Sequence, residues 1–190
     1  MLLITTLYYF SCLVNNVGVS HAHPMYFSEE SDEAMESIVK VNDLATMKMT
    51  KLVLPQMTNR RKGLILNIGS FAGAFPTPFL QVYSGSKAFL SHWSISLGAE
   101  LAKQGVHVEL LNTYYVATNM SKIKKTSWLR PSPESYVKSA LKTVGFDLFN
   151  TPHFSQDFYY FFMNMLPANL MLNTMTGIME AGRAKALKRK

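Results

Sequence analysis

The 190-residue sequence contains one cysteine, Cys12, so an intramolecular disulfide framework is excluded. Residues 1–14 are mostly apolar, but a transmembrane helix needs about 20 such residues. The same segment has no basic start and no small-residue cleavage site, which argues against a signal peptide. With 48% hydrophobic and 16% charged residues, the composition is that of one globular domain with a sizeable core.

Acidic residues are few: 12 stand against 19 lysines and arginines, which gives a net charge of +7. Such an excess favours an acidic partner, either nucleotide phosphates, an anionic membrane surface or nucleic acid. Nucleic acid is disfavoured because no zinc-finger spacing or aromatic RNA-binding motif accompanies the charge. Solvated turns with a basic tail, or a membrane-surface role, remain as alternatives. The basic residues cluster at Arg60, Arg61 and Lys62, at Lys122, Lys124 and Lys125, and at Arg183, Lys185, Lys188, Arg189 and Lys190.

Two kinds of binding motif are missing from the sequence. There is no G-x-G-x-x-G or comparable glycine-rich turn between a strand and a helix, which is the usual phosphate site of a dinucleotide fold. His21 and His23 stand two residues apart, but no third ligand follows at a useful spacing, so we expect no metal site. We interpret the two histidines as part of a loop near the mouth of a substrate site.

Strand and helix patterns alternate along the chain. Apolar runs predict strands and three-to-four periodicity predicts helices, with Ser31 or Asp32 as the cap of the first helix and Gly105 ending the second. Proline residues predict an irregular segment after the second strand. The order predicts an α/β fold with a doubly wound parallel sheet. The predicted strands are 13–18, 63–70 and 106–111, and the predicted helices are 33–56, 83–103 and one from residue 133 onward.

Tyr83 and Lys87 are the first candidate for chemistry. They lie four residues apart at the start of a predicted helix, so they share one face. A neighbouring ammonium favours the phenolate, which would bring a pKa of about 10 closer to neutral acid–base work. Taken alone, the spacing is better explained by a surface pair. Ser70 strengthens the case because it stands at the carboxyl end of the apolar strand Leu64–Ile68, and ligands in open α/β sheets bind at that edge.

The chain resembles the short-chain dehydrogenase/reductase family in its motifs and their spacing. The matching positions are Asn15-Asn16-Val17-Gly18, Asn42, Ser70 and Tyr83-x-x-x-Lys87. Without this context, Asn42 would be interpreted as a tolerated, exposed helix residue. The resemblance implies a Rossmann-type fold, here its C-terminal part, with Asn42, Ser70, Tyr83 and Lys87 as a catalytic tetrad.

The same resemblance implies a role for each of these residues. Tyr83 would donate a proton to the carbonyl oxygen, Ser70 would orient the carbonyl, and Asn42 would support a water-linked relay. Lys87 would lower the tyrosine pKa and contact the nicotinamide ribose. The implied cofactor-binding residues are Asn15, Tyr83, Lys87, Val116 and Thr118.

Longer strings are similar to a narrower branch, the very-long-chain 3-ketoacyl-CoA reductases and 17β-hydroxysteroid dehydrogenases. These strings are G-S-F-A-G at 69–73, P-T-P at 76–78, Y-S-G-S-K-A-F at 83–89 and P-E-S-Y-V-K-S-A at 133–140. The branch implies NADPH-dependent reduction of a 3-ketoacyl-CoA in fatty-acid elongation, with 17-ketosteroid reduction as the alternative. It also implies the cytosolic face of the endoplasmic reticulum membrane, and membership of a fatty-acid elongation complex.

The family carries its Thr-Gly-x-x-x-Gly-x-Gly phosphate turn before the Asn-Asn-Ala-Gly turn, and only fourteen residues stand there. We therefore expect one partial domain over 1–190, with a catalytic part at 13–145. The hypothesis is a chain truncated at its N-terminus, and a non-catalytic fragment is an alternative.

The C-terminal part, 146–190, is expected to be helical and to end in a basic tail. Within it, residues 158–179 are rich in aromatics and methionine, with Met171, Met175 and Met179 on one helical face. The segment fits either a satellite core helix or an amphipathic helix lying on a membrane.

Overall fold

The computed structural model describes residues 9–188 and is built around a parallel sheet of four strands. These are β1 (Cys12–Asn15), β2 (Gly63–Ile68), β3 (Val106–Leu111) and β4 (Phe149–Asn150), hydrogen-bonded in that order. In the register, Asn15 lies beside Asn67, and Ile65 beside Val108. The predicted parallel α/β sheet is confirmed. β4 was missed because two residues are too short to show a periodicity.

The first predicted helix is interrupted. It consists of α1 (Asp32–Val39), a π-helical turn (Lys40–Leu44) and α2 (Ala45–Arg60). Ser31 caps α1 by accepting a hydrogen bond from the Ala34 N–H, as expected. The π turn was not predicted, because such turns are rare and only one turn long. They occur frequently at functional sites.

The second long helix, α4 (Gln81–Leu101), continues as a 3₁₀ turn (Ala102–Gln104). It stops at Gly105, whose φ of +73° is in the left-handed region, so the predicted C-terminal glycine is confirmed. Between β2 and α4 the chain forms a short helix, α3 (Phe71–Ala74), where an irregular segment was expected. β2 itself ends at Ile68, two residues before Ser70, which caps α3.

Three helices complete the described chain: α5 (Pro133–Thr143), α6 (Phe154–Met165) and α7 (Ala168–Leu187). The methionine face of α7 is buried, with Met171 and Met175 packed against Phe71 and Phe75. The core-helix interpretation of that face is confirmed. Within residues 9–188 we find no helix that combines the length and apolarity needed to cross a membrane.

Two large apolar clusters hold most of these elements together, and a smaller one packs α5 against β3. One joins α2 and α4 to the sheet, and the other joins α3 to α6 and α7. Burying each large side chain in such a cluster stabilises the fold by about 1.5–3 kcal/mol. The members are Val53, Met57, Ile65, Leu101, Val106 and Val108 in the first, and Phe71, Phe75, Met163, Met171 and Met175 in the second.

Candidate active site

Ser70 and Tyr83 meet beyond the carboxyl end of β2. The Ser70 hydroxyl oxygen accepts a hydrogen bond of 3.2 Å from the Ala72 N–H, which fixes the side chain at the start of α3. Tyr83 lies in the first turn of α4, and its hydroxyl is close enough to the Ser70 hydroxyl to interact with it. The structure therefore brings together two hydroxyls that the sequence places thirteen residues apart.

Asn42 is fully buried in the π-helical turn and fixes the loop that follows β1. Its side-chain carbonyl accepts from the Val19 N–H at 2.8 Å, and its amide donates to the Val19 carbonyl at 3.0 Å. The same amide donates to the Ser86 hydroxyl at 3.0 Å, and that hydroxyl donates to the Tyr83 carbonyl. Asn42 is thus connected to the first turn of α4 by a continuous chain of hydrogen bonds.

Lys87 is buried on the next turn of α4, where its Nζ donates to the Ile68 carbonyl at 2.8 Å and lies 5.9 Å from the centre of the Tyr83 ring. Burial lowers the pKa of Lys87 to about 8, and the charge of Asp43 opposes that change. Burial raises the pKa of Asp43 to about 6, opposed in turn by Lys87. At neutral pH the two groups therefore face each other as ions of opposite charge.

The pKa of Tyr83 lies above its ordinary value, and this corrects the expected direction. Burial raises it first, the hydrogen bond with Ser70 lowers it, and Tyr115 nearby raises it again. The sequence-based expectation included the ammonium of Lys87 but not the loss of water around the phenol, which is the larger effect. Tyr83 consequently keeps its proton at neutral pH and is available as a donor.

Gly73 allows a close approach of the backbone at Lys87, and Gly18 lies beside the Lys87 side chain. A Cβ at Gly73 would lie 2.5 Å from the backbone carbonyl of Lys87, so only glycine lets α3 pack this closely on α4. A Cβ at Gly18 would lie 3.7 Å from Lys87 Nζ and 3.4 Å from the Asn42 side-chain oxygen. The turn after β1 thus passes directly beside two of the site's side chains.

The side chain of Asn15 lies between β1, β2 and helix α2. Its amide donates to Asn67 Oδ1 at 2.8 Å and to Thr50 Oγ1 at 3.3 Å, and the Asn67 amide donates to the buried Ser94 hydroxyl. These hydrogen bonds join β1 to β2 and to α2, so Asn15 stabilises the sheet at this point. A direct contact of Asn15 with a cofactor stays a prediction.

Val116 and Thr118 lie in the loop after β3. The Ser121 hydroxyl donates to the Val116 carbonyl at 2.6 Å and accepts from the Thr118 N–H at 3.2 Å, so the two residues are held in one tight turn. Val116 also packs against a buried cluster that includes Leu111 and Tyr136. Their predicted contact with the nicotinamide stays a prediction.

Four residues of this region were not predicted from the sequence. Ser86 stands inside the Tyr83–Lys87 motif, three residues after the tyrosine. Because residues three apart on a helix are neighbours, that spacing could have identified Ser86 as part of the site. Asp43 follows Asn42, but no periodicity marks it as facing Lys87. Tyr115 and Gln156 come together only in the fold, where Gln156 accepts from the Tyr114 N–H and donates to the Tyr115 carbonyl.

His21 is paired with Glu30. Both side chains are buried, and His21 Nε2 lies 3.0 Å from Glu30 Oε2, while the His23 ring donates to the Pro24 carbonyl. A cavity of about 440 Å³ beside this pair is lined by the loop after β1 and by α1, but not by the Ser70–Tyr83 pair. Within residues 9–188 there is no group of three or more histidine, cysteine or acidic side chains suited to a metal ion.

Comparison with known proteins identifies the family. The sequence model of the short chain dehydrogenases matches residues 4–128. The very-long-chain 3-oxoacyl-CoA reductase of Podospora anserina is 53% identical over 135 residues, 71% of this chain and 40% of the relative. That of Anas platyrhynchos is 42% identical over 180 residues, 94% of this chain and 58% of the relative. The chain thus spans about half the length of these curated relatives.

Solved structures share the fold. A short-chain dehydrogenase from Sphingobium yanoikuyae in complex with NADPH superimposes with a TM-score of 0.69 at 22% identity, over 90% of this chain and 65% of that one. A 7β-hydroxysteroid dehydrogenase gives 0.75 at 16% identity, over 87% and 67%. Because the family model covers well over half of the sequence, the chain belongs to the short-chain dehydrogenase family.

Proposed function

We propose that this chain carries the carbonyl-reducing site of an NADPH-dependent reductase that converts a 3-ketoacyl-CoA to the 3-hydroxyacyl-CoA. The observation that carries the proposal is the pair of neighbouring, interacting hydroxyls of Ser70 and Tyr83 beside the buried ammonium of Lys87. The names of the relatives support the substrate class. We place the reaction in very-long-chain fatty-acid elongation.

The geometry accounts for how a ketone would be activated. A substrate carbonyl oxygen beside Ser70 and Tyr83 would accept a hydrogen bond from each hydroxyl, which polarises the C=O bond and fixes its direction. A bound nicotinamide cofactor supplies the hydride. As negative charge develops on the oxygen, Tyr83 donates its proton, because that hydroxyl is protonated at neutral pH.

Lys87 and Asn42 support this transfer in different ways. The Lys87 ammonium, near the tyrosine ring, stabilises the negative charge left on Tyr83 after it has given up its proton. Asn42 positions the surrounding backbone, since it holds Val19 and, through Ser86, the first turn of α4. A water-linked proton relay through Asn42 is part of the proposal.

The residues around Tyr83 and Lys87 fit the nicotinamide half of a dinucleotide cofactor. Lys87 donates one N–H to the Ile68 carbonyl, which leaves two of its three donors for the hydroxyls of a nicotinamide ribose. Tyr83, Val116 and Thr118 would complete that half. For the phosphates, residues 9–188 offer no G-x-G-x-x-G turn between a strand and a helix. The fit is therefore restricted to the nicotinamide and its ribose.

We also propose a location at the cytosolic face of the endoplasmic reticulum membrane, in a fatty-acid elongation complex. The elongation role of the substrate class and the net charge of +7, which favours an anionic surface, support this location. NADPH is proposed over NADH because a structural neighbour was solved with NADPH, although another was solved with NADH.

The test combines cofactor binding with turnover. We would titrate the purified chain with NADPH and with NADH by fluorescence, checking its fold by circular dichroism. We would then supply a long-chain 3-ketoacyl-CoA or a 17-ketosteroid and follow NADPH oxidation. Preferred turnover of the acyl-CoA is expected. Turnover of the steroid alone would contradict the substrate class. No binding up to millimolar NADPH would show that this chain needs further sequence for the cofactor.

A further inference from the structure

Helix α6 has an aromatic stripe on its outer face. The stripe consists of Phe154, Phe158, Phe161, Phe162 and Met165, spaced at i, i+4, i+7, i+8 and i+11. Each of these side chains is between 51% and 76% exposed, although all five are large and apolar. Scattered exposed apolar residues are normal, but a continuous stripe along one helix marks a contact surface.

The inner face of α6 fixes the direction in which the stripe points. Ser155, Gln156 and Met163 are buried on that side, and Tyr159 and Tyr160 pack against Phe71. These contacts anchor the helix to the α3 end of the active site. The aromatic stripe therefore faces away from the protein core.

A basic loop borders the stripe. Trp128 is 63% exposed and its ring lies edge-on to that of Phe158, with centroids 6.3 Å apart. The loop is tied to the first turn of α6, since the Ser155 hydroxyl donates to the Trp128 carbonyl at 2.6 Å. Between Asn112 and Pro133 there are four cations and no acidic residue. The cations are Lys122, Lys124, Lys125 and Arg130, all exposed.

This combination matches the chemistry of an anionic lipid surface. Phenylalanine and tryptophan side chains enter the boundary between head groups and acyl chains, while lysine and arginine at the border remain with the lipid phosphates. A second copy of the chain would bring a like-charged loop toward the same stripe. The surface as a whole, residues 122–130 and 154–165, carries four cations against one exposed acidic residue, Asp157, which favours an anionic lipid partner over a second copy.

We propose that the aromatic stripe and the basic loop at 122–130 dock on the surface of an anionic phospholipid bilayer, with α6 lying in the plane of the membrane. The stripe enters the bilayer, Trp128 lies at its rim, and the lysines contact the head groups. This surface extends the proposed membrane location by naming the part of the chain that contacts the lipid. The inference rests on the proposed function only for the identity of the membrane. Lipid binding is measured without substrate, so its failure and a failure of the reductase activity are distinguishable.

Trp128 provides the measurement. In a Trp93→Phe chain it is the single tryptophan, and its emission reports insertion directly. We would add vesicles of phosphatidylcholine, alone or mixed with phosphatidylserine, and vesicles of the mixed composition that carry brominated acyl chains. With phosphatidylserine present, the emission of Trp128 is expected to shift to the blue and to be quenched by the bromines. Unchanged emission with anionic vesicles would overturn the proposal.

Variants distinguish lipid binding through the stripe from nonspecific hydrophobic adsorption of the protein. Phe158→Ser with Phe161→Ser should weaken binding to anionic vesicles at least about tenfold. Replacing Lys124 and Lys125 by Gln should weaken it by about fivefold per lysine. Phe89→Ser, an exposed aromatic on α4, is the matched control and should bind as the parent does.

Binding of the Phe158/Phe161 variant within twofold of the parent, with its circular dichroism unchanged, would overturn the proposal. So would sedimentation showing that this variant loses a dimer while its lipid binding is unchanged, because the stripe would then cover a second copy.

Discussion

The candidate active site and the C-terminal helices meet at Phe71 but are built in opposite ways. Around Lys87 and Asn42, buried polar side chains are held by hydrogen bonds, largely to backbone carbonyls and N–H groups. Around α6 and α7 the contacts are apolar, and the outer face of α6 exposes an aromatic stripe. The site is thus organised before any ligand arrives, whereas the stripe gains its favourable contacts only from a partner outside the chain.

The largest effect on stability is expected where the two regions join. Phe71 follows Ser70 and lies at the centre of contacts with Phe75, Tyr114 and Tyr160. Phe71→Ala should lower the free energy of unfolding by about 3–5 kcal/mol, through the cavity that it leaves. Urea denaturation measures this change.

The matched control for this prediction is Phe161→Ala on the exposed stripe, which should change the free energy of unfolding by less than about 0.5 kcal/mol. Equal losses for the two variants would show that the stripe is part of the core and would remove the contrast between the regions.

The second effect concerns turnover. Ser70→Ala removes one of the two hydroxyls that would polarise the ketone, and the rate should fall by about 10²–10³ while the fold is kept. The control is Ser96→Ala, an exposed serine on α4, which should turn over as the parent does. A Ser70→Ala rate within threefold of the parent would mean that the carbonyl binds elsewhere.

The third effect distinguishes two roles for Asn15. Asn15→Ala removes the hydrogen bonds to Asn67 and Thr50 and should lower the free energy of unfolding by about 1–2 kcal/mol. If the residue serves the sheet alone, the affinity for NADPH, measured well below the unfolding temperature, stays the same. A loss of affinity without a loss of stability would instead establish the predicted cofactor contact.

The last effect is electrostatic. The pKa of Lys87 is lowered to about 8 from the 10.5 of a free lysine, so the folded chain loses this proton first. The contribution of Lys87 to the free energy of unfolding therefore rises between pH 8 and 10.5. Asp43→Asn removes the charge that opposes this lowering, so the lysine pKa should fall further and the rise should begin at lower pH.

The titration of the Lys87 side chain can be followed directly by carbon NMR of its Cε, with Lys103, an exposed lysine after α4, as the internal control. An unchanged Lys87 pKa in Asp43→Asn would show that the two groups do not interact.

The four residues expected to form a tetrad belong to motifs with fixed spacing, and the fold brings Asn42, Ser70, Tyr83 and Lys87 to one place. Their catalytic roles stay predictions. The sheet followed from apolar runs bounded by glycine. The raised pKa of Tyr83 could not be predicted, since burial depends on the packing of α3 against α4. The direction of the aromatic stripe depended equally on tertiary contacts, because both faces of α6 carry aromatic residues.

The most direct measurement of the central claim is NADPH-dependent formation of a 3-hydroxyacyl-CoA by the protein and by its Tyr83→Phe variant. Both are assayed as chains for which NADPH binding has been measured. The substitution removes only the hydroxyl that donates the proton. We predict a rate at least about a thousandfold lower with circular dichroism unchanged. A rate within about threefold of the parent would show that Tyr83 is not the proton donor, and the mechanism derived from its pairing with Ser70 would be wrong.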